Sequence, residues 1–305
     1  MDNAYSSAGP AFIHHGPDTR LAGAPVVLGL PAMGTPARYY EPFARRLAEL
    51  AGASVAWAEL RGQGESRPRA RDGADFGYRE IVEDDIPRLA GRLLRQHPRR
   101  PLVLLGHSLG GQLATLAAHQ LGEHLAGLVL VAAGTAHHRA WPRGARWRAA
   151  LAVHGIRATA AMLPWYPGHR LGFGGEQPRR FMRDWSRNAT TGRYRIEGSE
   201  IDHEDAAGRL ALPVLSLAIR QDPVAPPGAV EELLAKLARA RIERRWLMGV
   251  VRDPPWKRHF SWAREPAGEM AAAVARWLHA LPAAAALSFQ PAPAPAPEGE
   301  RHVLV

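Results

Sequence analysis

The most informative stretch of the sequence is Pro101-Leu-Val-Leu-Leu-Gly-His-Ser-Leu-Gly-Gly-Gln-Leu-Ala114. Its apolar start, Leu102–Leu105, is typical of a strand that is buried on both faces of a parallel sheet. Its second half continues into apolar residues at helical spacing. The five residues from Gly106 to Gly110 therefore join a buried strand to an amphipathic helix, which is the setting that a G-x-S-x-G motif requires.

Ser108 is predicted to lie at the apex of this strand-to-helix turn. Side chains at Gly106 and Gly110 would collide with neighbouring backbone in so sharp a turn, which explains the two glycines. The hydroxyl would project above the sheet at the N-terminus of the helix, where partial positive charge favours a developing anion. We therefore predict that Ser108 is a nucleophile. We expect His107 to pack or to form a hydrogen bond within the turn rather than to act as the base.

Apolar runs and helical patterns alternate along most of the chain. This alternation predicts an α/β fold with a mostly parallel central sheet, flanking helices and right-handed crossovers. The predicted strands are Val26–Leu30, Ser54–Ala58, Leu102–Leu105, Leu128–Val131, Val214–Ile219 and Trp246–Val251. The predicted helices carry apolar residues at Phe43, Leu47 and Leu50, at Val82, Ile86, Leu89 and Leu93, at Leu113, Leu116, Ala117 and Leu121, and at Met270, Val274, Trp277, Leu278 and Leu281.

One segment, residues 135–205, breaks this alternation and mixes tryptophans with many arginines. Its length of roughly 70 residues far exceeds the usual connection of about 2–6 residues in α/β units, and we predict a helical cap or lid. Its aromatic residues suit a small core of its own and direct substrate contact equally well. The predicted core domain comprises residues 24–134 and 206–286. Residues 1–23 are expected to add short edge strands, and residues 287–305 a disordered tail rich in Pro and Ala.

A serine hydroxyl is inert near neutral pH unless a base accepts its proton, and a carboxylate must fix the tautomer of that base. With a nucleophile on this kind of turn, the acid and then the base follow later in the chain, each just past a strand. Asp222 follows the predicted strand that ends at Ile219, and His259 follows the one that ends at Val251. We therefore predict that Asp222 is the acid and His259 the base.

Both assignments have rivals within the sequence. Asp222 precedes a proline and also suits a plain turn. Its rivals Asp202, Asp205 and Asp253 lie in the insertion or after the wrong strand. Among the 14 histidines, His259 lies between the last predicted strand and the final helix, where the base is expected.

A tetrahedral intermediate also needs donors for its oxyanion, usually two backbone N–H groups. Leu109, directly after the nucleophile, offers one, and the other is expected from the loop after the first strand. We predict Met33 in that loop, because Pro31 has no N–H and Gly34 gives the chain room to turn. The Met33 side chain suits an apolar pocket lining and a packing role equally.

Composition restricts the chemistry further. The chain has 305 residues, 46% hydrophobic and 22% charged, which is typical of a globular protein. The lack of cysteine excludes disulfides, thiolate metal sites and a cysteine nucleophile. Basic residues outnumber acidic ones by 39 to 29, but the arginines are scattered, which argues against a nucleic-acid partner. The sequence has no secretory signal and no apolar run of roughly 18 residues, so we expect a cytoplasmic protein without membrane insertion.

From about Ala24 to Ala283 the sequence resembles the α/β-hydrolase superfamily. Residues Glu59-Leu-Arg-Gly-Gln-Gly-Glu-Ser66 are similar to the superfamily's D-x-R-G-x-G-x-S loop, with Glu59 in place of the usual Asp. Three further segments resemble a bacterial branch of predicted hydrolases related to the serine-aminopeptidase and monoacylglycerol-lipase group. They are Pro31-Ala-Met-Gly-Thr-Pro-Ala-Arg-Tyr-Tyr-Glu-Pro-Phe-Ala44, Gln177-Pro-Arg-Arg-Phe-Met-Arg-Asp-Trp185 and Arg258-His-Phe260.

The resemblance implies an eight-stranded, mostly parallel sheet, a cap over the site and no cofactor. From the candidate catalytic residues we expect a small-molecule acyl substrate, and we predict no metal site. Superfamily members usually spend more residues on an N-terminal strand pair than residues 1–23 allow, so we expect one or two short edge strands. Three functions fit the residues: a serine hydrolase with an acyl-enzyme intermediate, an acyltransferase that uses an alcohol or thiol in place of water, and a noncatalytic binding protein. Ser108, Asp222 and His259, present in the required order, argue against the noncatalytic protein. The same three residues serve a hydrolase and an acyltransferase, so the sequence does not separate these two, and the hydrolase is our leading hypothesis.

Overall fold

The central sheet is built from strands rich in Val, Leu and Ala. The computed structural model describes residues 12–15, 24–98, 100–248, 253–264 and 268–281. Within them, seven strands form the central sheet in the spatial order β1-β3-β2-β4-β5-β8-β9, and two more, β6 and β7, form a separate hairpin. The strands are β1 (Phe12–His15), β2 (Val26–Leu30), β3 (Ser54–Ala58), β4 (Leu102–His107), β5 (Leu125–Val131), β6 (Trp165–Pro167), β7 (Glu176–Pro178), β8 (Pro213–Ile219) and β9 (Arg241–Leu247).

The six strands from β2 to β9 in this sheet are parallel to one another, and β1 pairs antiparallel with β3. The predicted mostly parallel sheet is therefore confirmed. Strands β2, β3 and β4 are buried along their whole length, as their apolar runs predicted. Because successive side chains alternate between faces, Val26 and Leu28 join the hydrophobic cluster on one face while Val27 joins the cluster on the other.

Helices cover both faces of the sheet. Apolar residues of α1 and α10 pack on one face, and those of α2, α3 and α8 pack on the other. The α-helices are α1 (Glu41–Ala51), α2 (Ile86–Gln96), α3 (Leu109–Ala117), α4 (Arg146–Met162), α5 (Gly168–Leu171), α6 (Arg179–Thr191), α7 (His203–Gly208), α8 (Pro227–Leu234), α9 (Pro255–Ser261) and α10 (Glu269–Ala280). Short 3-10 turns cover Ala37–Tyr40, Ala70–Asp72, Ala118–His124, His138–Ala140 and Trp262–Arg264, and a π-helical turn covers Glu80–Asp85.

The last predicted strand is wrong in its position. The apolar run Trp246–Val251 predicted a buried strand, whereas β9 begins at Arg241 and ends at Leu247. Residues 249–251 of the predicted run lie outside the described residues. β9 lies at the edge of the sheet beside β8, and several of its residues are exposed. An edge strand with solvent on one side does not need a continuous apolar run, so the hydrophobic pattern pointed to the wrong residues.

The N-terminal segment contributes one edge strand within the described residues, β1. The central sheet of the described residues has seven strands rather than the eight that the resemblance implied. The rest of the predicted segment 1–23, residues 282–286 of the predicted core domain and the predicted tail 287–305 lie outside the described residues.

The chain between β5 and β8 contains α4 to α7 and the β6–β7 hairpin. Its helix α6 packs on the core domain, where the rings of Phe181 and Tyr78 meet at 5.1 Å. The buried carboxylate of Asp184 accepts hydrogen bonds from the N–H groups of Tyr78 (3.0 Å) and Glu197 (2.9 Å). Burial raises the pKa of Asp184 to about 6. The segment predicted as a cap is therefore helical and is joined to the core by both apolar and polar contacts.

Candidate active site

The turn between β4 and α3 has the strained geometry that its glycines predicted. Ser108 has φ +53° and ψ −118°, a conformation that residues other than glycine rarely adopt. A Cβ atom at Gly106 would lie 2.4 Å from the carbonyl carbon of Gly110, and one at Gly110 would lie 2.2 Å from the carbonyl oxygen of Leu30. No side chain fits at either position unless the backbone moves.

The structure brings Ser108, His259 and Asp222 together. His259 Nε2 lies 3.0 Å from Ser108 Oγ, and His259 Nδ1 lies 2.6 Å from Asp222 Oδ2. The imidazole and the carboxylate are both buried. The carboxylate accepts the Nδ1 proton, which leaves Nε2 unprotonated and able to accept the proton of the serine hydroxyl.

Asp222 is held by the turn that follows β8. Gln221 adopts a left-handed conformation with φ +61°, and the N–H of Asp222 donates to the carbonyl of Ile219 at 3.3 Å. Asp222 Oδ1 accepts hydrogen bonds from the N–H groups of Val224 (2.8 Å) and Ala225 (3.2 Å). One carboxylate oxygen is thus fixed by the backbone, while the other faces the imidazole.

His259 lies on the short helix α9 rather than in a loop directly after a strand. Its carbonyl oxygen accepts two hydrogen bonds at 2.9 Å, one from Nε2 of His107 and one from the indole N–H of Trp262. Both donors are buried. The backbone of the candidate base is therefore held directly by the residue that precedes the candidate nucleophile.

His107 is part of a buried hydrogen-bond network. Its Nδ1 lies 2.7 Å from the hydroxyl of Tyr40, which in turn accepts the N–H of Ala32 at 2.9 Å. Burial, together with the nearby His259, lowers the pKa of His107 well below its usual value, so the ring is neutral at pH 7. A carbonyl only accepts, so the proton of His107 sits on Nε2, and Nδ1 accepts the proton of Tyr40.

The loop after β2 leaves one N–H group free beside the predicted oxyanion position. Ala32 donates to Tyr40, and Gly34 donates to Gln63 Oε1 at 3.0 Å. The N–H of Met33, between them, has no acceptor among the described residues. Leu109 is the first residue of α3, where N–H groups have no acceptor within the helix. The roles of Met33 and Leu109 as oxyanion donors stay predictions.

The loop after β3, which resembles the superfamily's D-x-R-G-x-G-x-S motif, supports this arrangement. Glu59 Oε1 accepts the N–H of Ala37 at 2.9 Å, and burial raises the pKa of this carboxyl. A Cβ atom at Gly64 would lie 2.1 Å from the Glu59 carboxyl, so this position requires glycine. Together with the hydrogen bond that the N–H of Gly34 donates to Gln63 Oε1, these contacts hold the loop after β2 against the loop after β3.

The β6–β7 hairpin also reaches the loop after β2. A Cβ atom at Gly34 would lie 2.8 Å from Gly174, and one at Gly174 would lie 2.7 Å from the sulfur of Met33 and 3.7 Å from the ring of Tyr166. Tyr166 is fully buried, and its hydroxyl has no partner among the described residues. The side chain of Met33 thus lies beside residues of the predicted cap.

Sequence reasoning assigned no role to Tyr40, Gln63 or Trp262. Tyr40 and Gln63 lie in segments that carried the superfamily resemblance, and this was their one signal. The rival carboxylates lie in other surroundings: Asp202 accepts the N–H of Asp205 at the start of α7, and Asp205 pairs with Arg209.

Among the described residues, no group of three or more His, Asp or Glu side chains is arranged to hold a metal ion. Within the same part of the chain, no helix is both long enough and apolar enough to cross a membrane.

The parallel sheet, the strained serine turn and the Ser108–His259–Asp222 contacts define a protein of the α/β-hydrolase superfamily. Residues 24–188 match the family Hydrolase_4, described as serine aminopeptidase, S33, and the chain belongs to this family of hydrolases. The resemblance inferred from the sequence is therefore confirmed, and the protein is an enzyme of the α/β-hydrolase type. No curated protein has significant sequence similarity to the chain.

Solved structures of low sequence identity share the fold. Est1E from Butyrivibrio proteoclasticus, bound to ferulic acid, is 15% identical with a TM-score of 0.57, over 89% of this chain and 96% of that one. The monoacylglycerol lipase of Paleococcus ferrophilus is 16% identical with a TM-score of 0.57, over 90% of this chain and 100% of that one. A thioesterase domain from the curacin biosynthetic pathway is 17% identical with a TM-score of 0.52, over 89% of this chain and 95% of that one.

Proposed function

We propose that the protein is a serine hydrolase that cleaves a carboxylic ester through an acyl-enzyme intermediate. The observation that carries this proposal is the unbroken line of contacts from Ser108 Oγ to His259 Nε2 (3.0 Å) and from His259 Nδ1 to Asp222 Oδ2 (2.6 Å). Contacts of these lengths are suited to proton transfer from hydroxyl to imidazole. The strained backbone at Ser108 also places the hydroxyl at the N-terminus of α3.

In the first step, His259 Nε2 takes the proton of Ser108 as Oγ bonds to the carbonyl carbon of the substrate. The N–H groups of Met33 and Leu109 receive the oxyanion. His259 then gives its proton to the leaving alcohol as the carbon–oxygen bond to that alcohol breaks. In the second step, a water molecule passes a proton to His259 and attacks the acyl group. His259 returns this proton to Ser108 Oγ as the bond between Oγ and the acyl carbon breaks and the acid is released. Asp222 orients the imidazole and stabilises its protonated form throughout.

An ester is favoured over an amide because an alcohol is the better leaving group. The surroundings of Met33 include the ring of Tyr166, and Phe173 packs against the same hydrophobic cluster. Such surroundings suit an acyl or aryl group. A ferulate-bound esterase and a monoacylglycerol lipase among the structures that share the fold are in keeping with this substrate class.

Residues 135–205 are proposed to act as the cap of this site. Support comes from the approach of Gly174 to Met33 and of Gly175 to Gly34. These contacts join the β6–β7 hairpin to the loop that carries the candidate oxyanion donor. A substrate bound at Ser108 would therefore meet cap residues beside the candidate oxyanion donor.

Labelling with a fluorophosphonate probe tests the proposed nucleophile. The probe is expected to modify Ser108 in the folded protein and to leave Ser108→Ala unmodified. Ser199→Ala is a matched control, because Ser199 Oγ also lies near a histidine, 3.1 Å from His203 Nε2. In that pair Nε2 also contacts the carboxylate of Glu83 at 2.9 Å, so the imidazole is not free to serve as a base for serine. Labelling of the Ser108→Ala variant, or none in the wild type, would refute the proposal.

A substrate series then tests the bond that is cleaved. p-Nitrophenyl esters of increasing acyl length are expected to be hydrolysed faster than the matching p-nitroanilides. Faster cleavage of aminoacyl p-nitroanilides would contradict the ester assignment. The same reactions run with added alcohols or thiols identify an acyltransferase by its transesterified product.

A further inference from the structure

A groove runs between α4 and α6, on the segment that we propose as the cap. It has a volume of about 570 Å³, within the roughly 300–1,000 Å³ of pockets that hold small organic ligands. Its floor includes the apolar side chains of Ala160 and Met182. Of the described residues that line it, none is acidic and none belongs to the candidate active site.

Four arginines line the groove, one on α4 and three on α6: Arg157, Arg179, Arg183 and Arg187. Within the described part of the chain, the first two have no carboxylate partner. The other two each approach one carboxylate, with Arg183 at 2.7 Å from Glu197 and Arg187 at 3.6 Å from Asp184. The groove therefore keeps a surplus of positive charge. Guanidinium groups match phosphate oxygens with two parallel hydrogen bonds, which makes arginine the preferred residue for such anions.

Ser186 supplies an independent observation. It lines the groove and is 4% exposed, and its hydroxyl has no hydrogen-bond partner among the described residues. Buried hydroxyl groups are normally hydrogen-bonded. Thr190, one turn further along α6, follows this rule, since its hydroxyl donates to the carbonyl of Ser186 at 2.8 Å. The Ser186 hydroxyl is thus a donor without an acceptor in a positively charged groove.

We propose that the groove between α4 and α6 binds a phosphoryl group that is attached to an organic ligand, at a site separate from Ser108. The arginines bind the phosphoryl oxygens, the Ser186 hydroxyl donates to one of them, and the apolar floor contacts the organic part. Free organic phosphates and phospholipid headgroups share this chemistry. The proposal does not depend on the chemistry at Ser108, because the two sites share no residue.

Isothermal titration of the full chain with phenyl phosphate, at about physiological salt where weak surface pairing is screened, tests the site. Arg157→Gln is expected to weaken binding at least fivefold. Arg148→Gln, on the same helix but outside the groove, is the matched control and is expected to bind like the wild type. Ser186→Ala separates a ligand contact from a structural role: it is expected to weaken binding at least threefold without lowering the melting temperature.

Sedimentation with vesicles of phosphatidylcholine, with and without phosphatidylglycerol, identifies the source of the phosphoryl group. Binding of phenyl phosphate that depends on Arg157 supports a free organic phosphate. Binding to phosphatidylglycerol vesicles alone that depends on Arg157 supports a lipid headgroup. No binding of either probe by the wild type, or equal weakening by Arg157→Gln and Arg148→Gln, would overturn the proposal.

Discussion

Tyr40→Phe tests whether the hydrogen bonds behind the candidate active site hold the reacting groups in place. The hydroxyl of Tyr40 accepts the N–H of Ala32 at 2.9 Å and donates to Nδ1 of His107 at 2.7 Å. Its ring stacks on Trp57 with the centroids 4.2 Å apart, and phenylalanine keeps this stacking. The substitution therefore removes two hydrogen bonds and leaves the apolar packing intact.

The expected loss of stability follows from burial. Ala32 and His107 are both buried, so each is left with an unsatisfied polar group. Such a group costs about 1–3 kcal/mol, and we expect Tyr40→Phe to lower the free energy of unfolding by at least about 2 kcal/mol. Urea denaturation measures this change.

The expected loss of activity comes from the loop after β2. Ala32 precedes Met33, the candidate oxyanion donor, and its N–H loses its hydrogen-bond acceptor when the hydroxyl of Tyr40 is removed. Complete removal of a donor lowers kcat by about 10²–10³. Loosening of the loop is a smaller change, so we expect kcat to fall about tenfold, equivalent to about 1.4 kcal/mol in the activation barrier, while KM changes less than about twofold.

Steady-state kinetics on p-nitrophenyl acetate, with a pre-steady-state burst to count active sites, separates these effects. Tyr39→Phe is the control, because it removes a hydroxyl from the preceding, half-buried residue of the same turn. A Tyr40→Phe protein that loses the expected stability but keeps the wild-type kcat would refute a positioning role for the network.

Three further predictions concern other parts of the structure. Gly110→Ala places a Cβ atom 2.2 Å from the carbonyl oxygen at the end of β2. We expect urea unfolding to show that it lowers the free energy of unfolding by about 3 kcal/mol. Gly155→Ala, in open space within α4, is the control and is expected to raise the free energy of unfolding by up to about 1 kcal/mol. The pKa of Asp184 is raised to about 6. Its contribution to the free energy of unfolding therefore falls by up to about 3 kcal/mol as the pH rises from about 4 to 6. Asp184→Asn is expected to remove this dependence on pH in unfolding curves measured across the same range. Asp222→Asn is expected to lower kcat about 10³–10⁴-fold through loss of the required tautomer of His259, and an unchanged kcat would transfer the role of the acid to another carboxylate.

The sequence predicted well those elements whose hydrophobic pattern matches their burial in the folded protein. Strands β2 and β3 begin and end at the residues that their apolar runs indicated. Both strands are covered on two faces, so nearly all of their side chains are apolar and the run is continuous in the sequence. The serine turn was predictable for a similar reason, because Gly106 and Gly110 are imposed by contacts within a few residues of the turn and at the end of β2.

The residues that sequence reasoning missed act through contacts that are distant along the chain. The ring of Tyr40 packs against Trp57 in the core, so its position in the sequence indicates only a buried aromatic residue. Nothing in the local pattern indicates that its hydroxyl forms a hydrogen bond with His107. Likewise, Trp262 has the pattern of a core residue, although its indole N–H holds the carbonyl of His259. Hydrophobic periodicity reports burial and carries no information about which polar atom of a buried ring finds a partner.

The backbone of His259 is held by side chains, because the residue lies on the helix α9 and not directly after a strand. At the end of a strand, the hydrogen bonds of the sheet would hold the backbone of the base. On α9 that support is replaced by two side chains, and one of them, His107, directly precedes Ser108. A shift of β4 would therefore move the candidate nucleophile together with a side chain that holds the backbone of the candidate base. The histidine of the serine turn thus links the candidate nucleophile to the candidate base through a hydrogen bond to the backbone of His259, a contact that its place in the motif alone does not reveal.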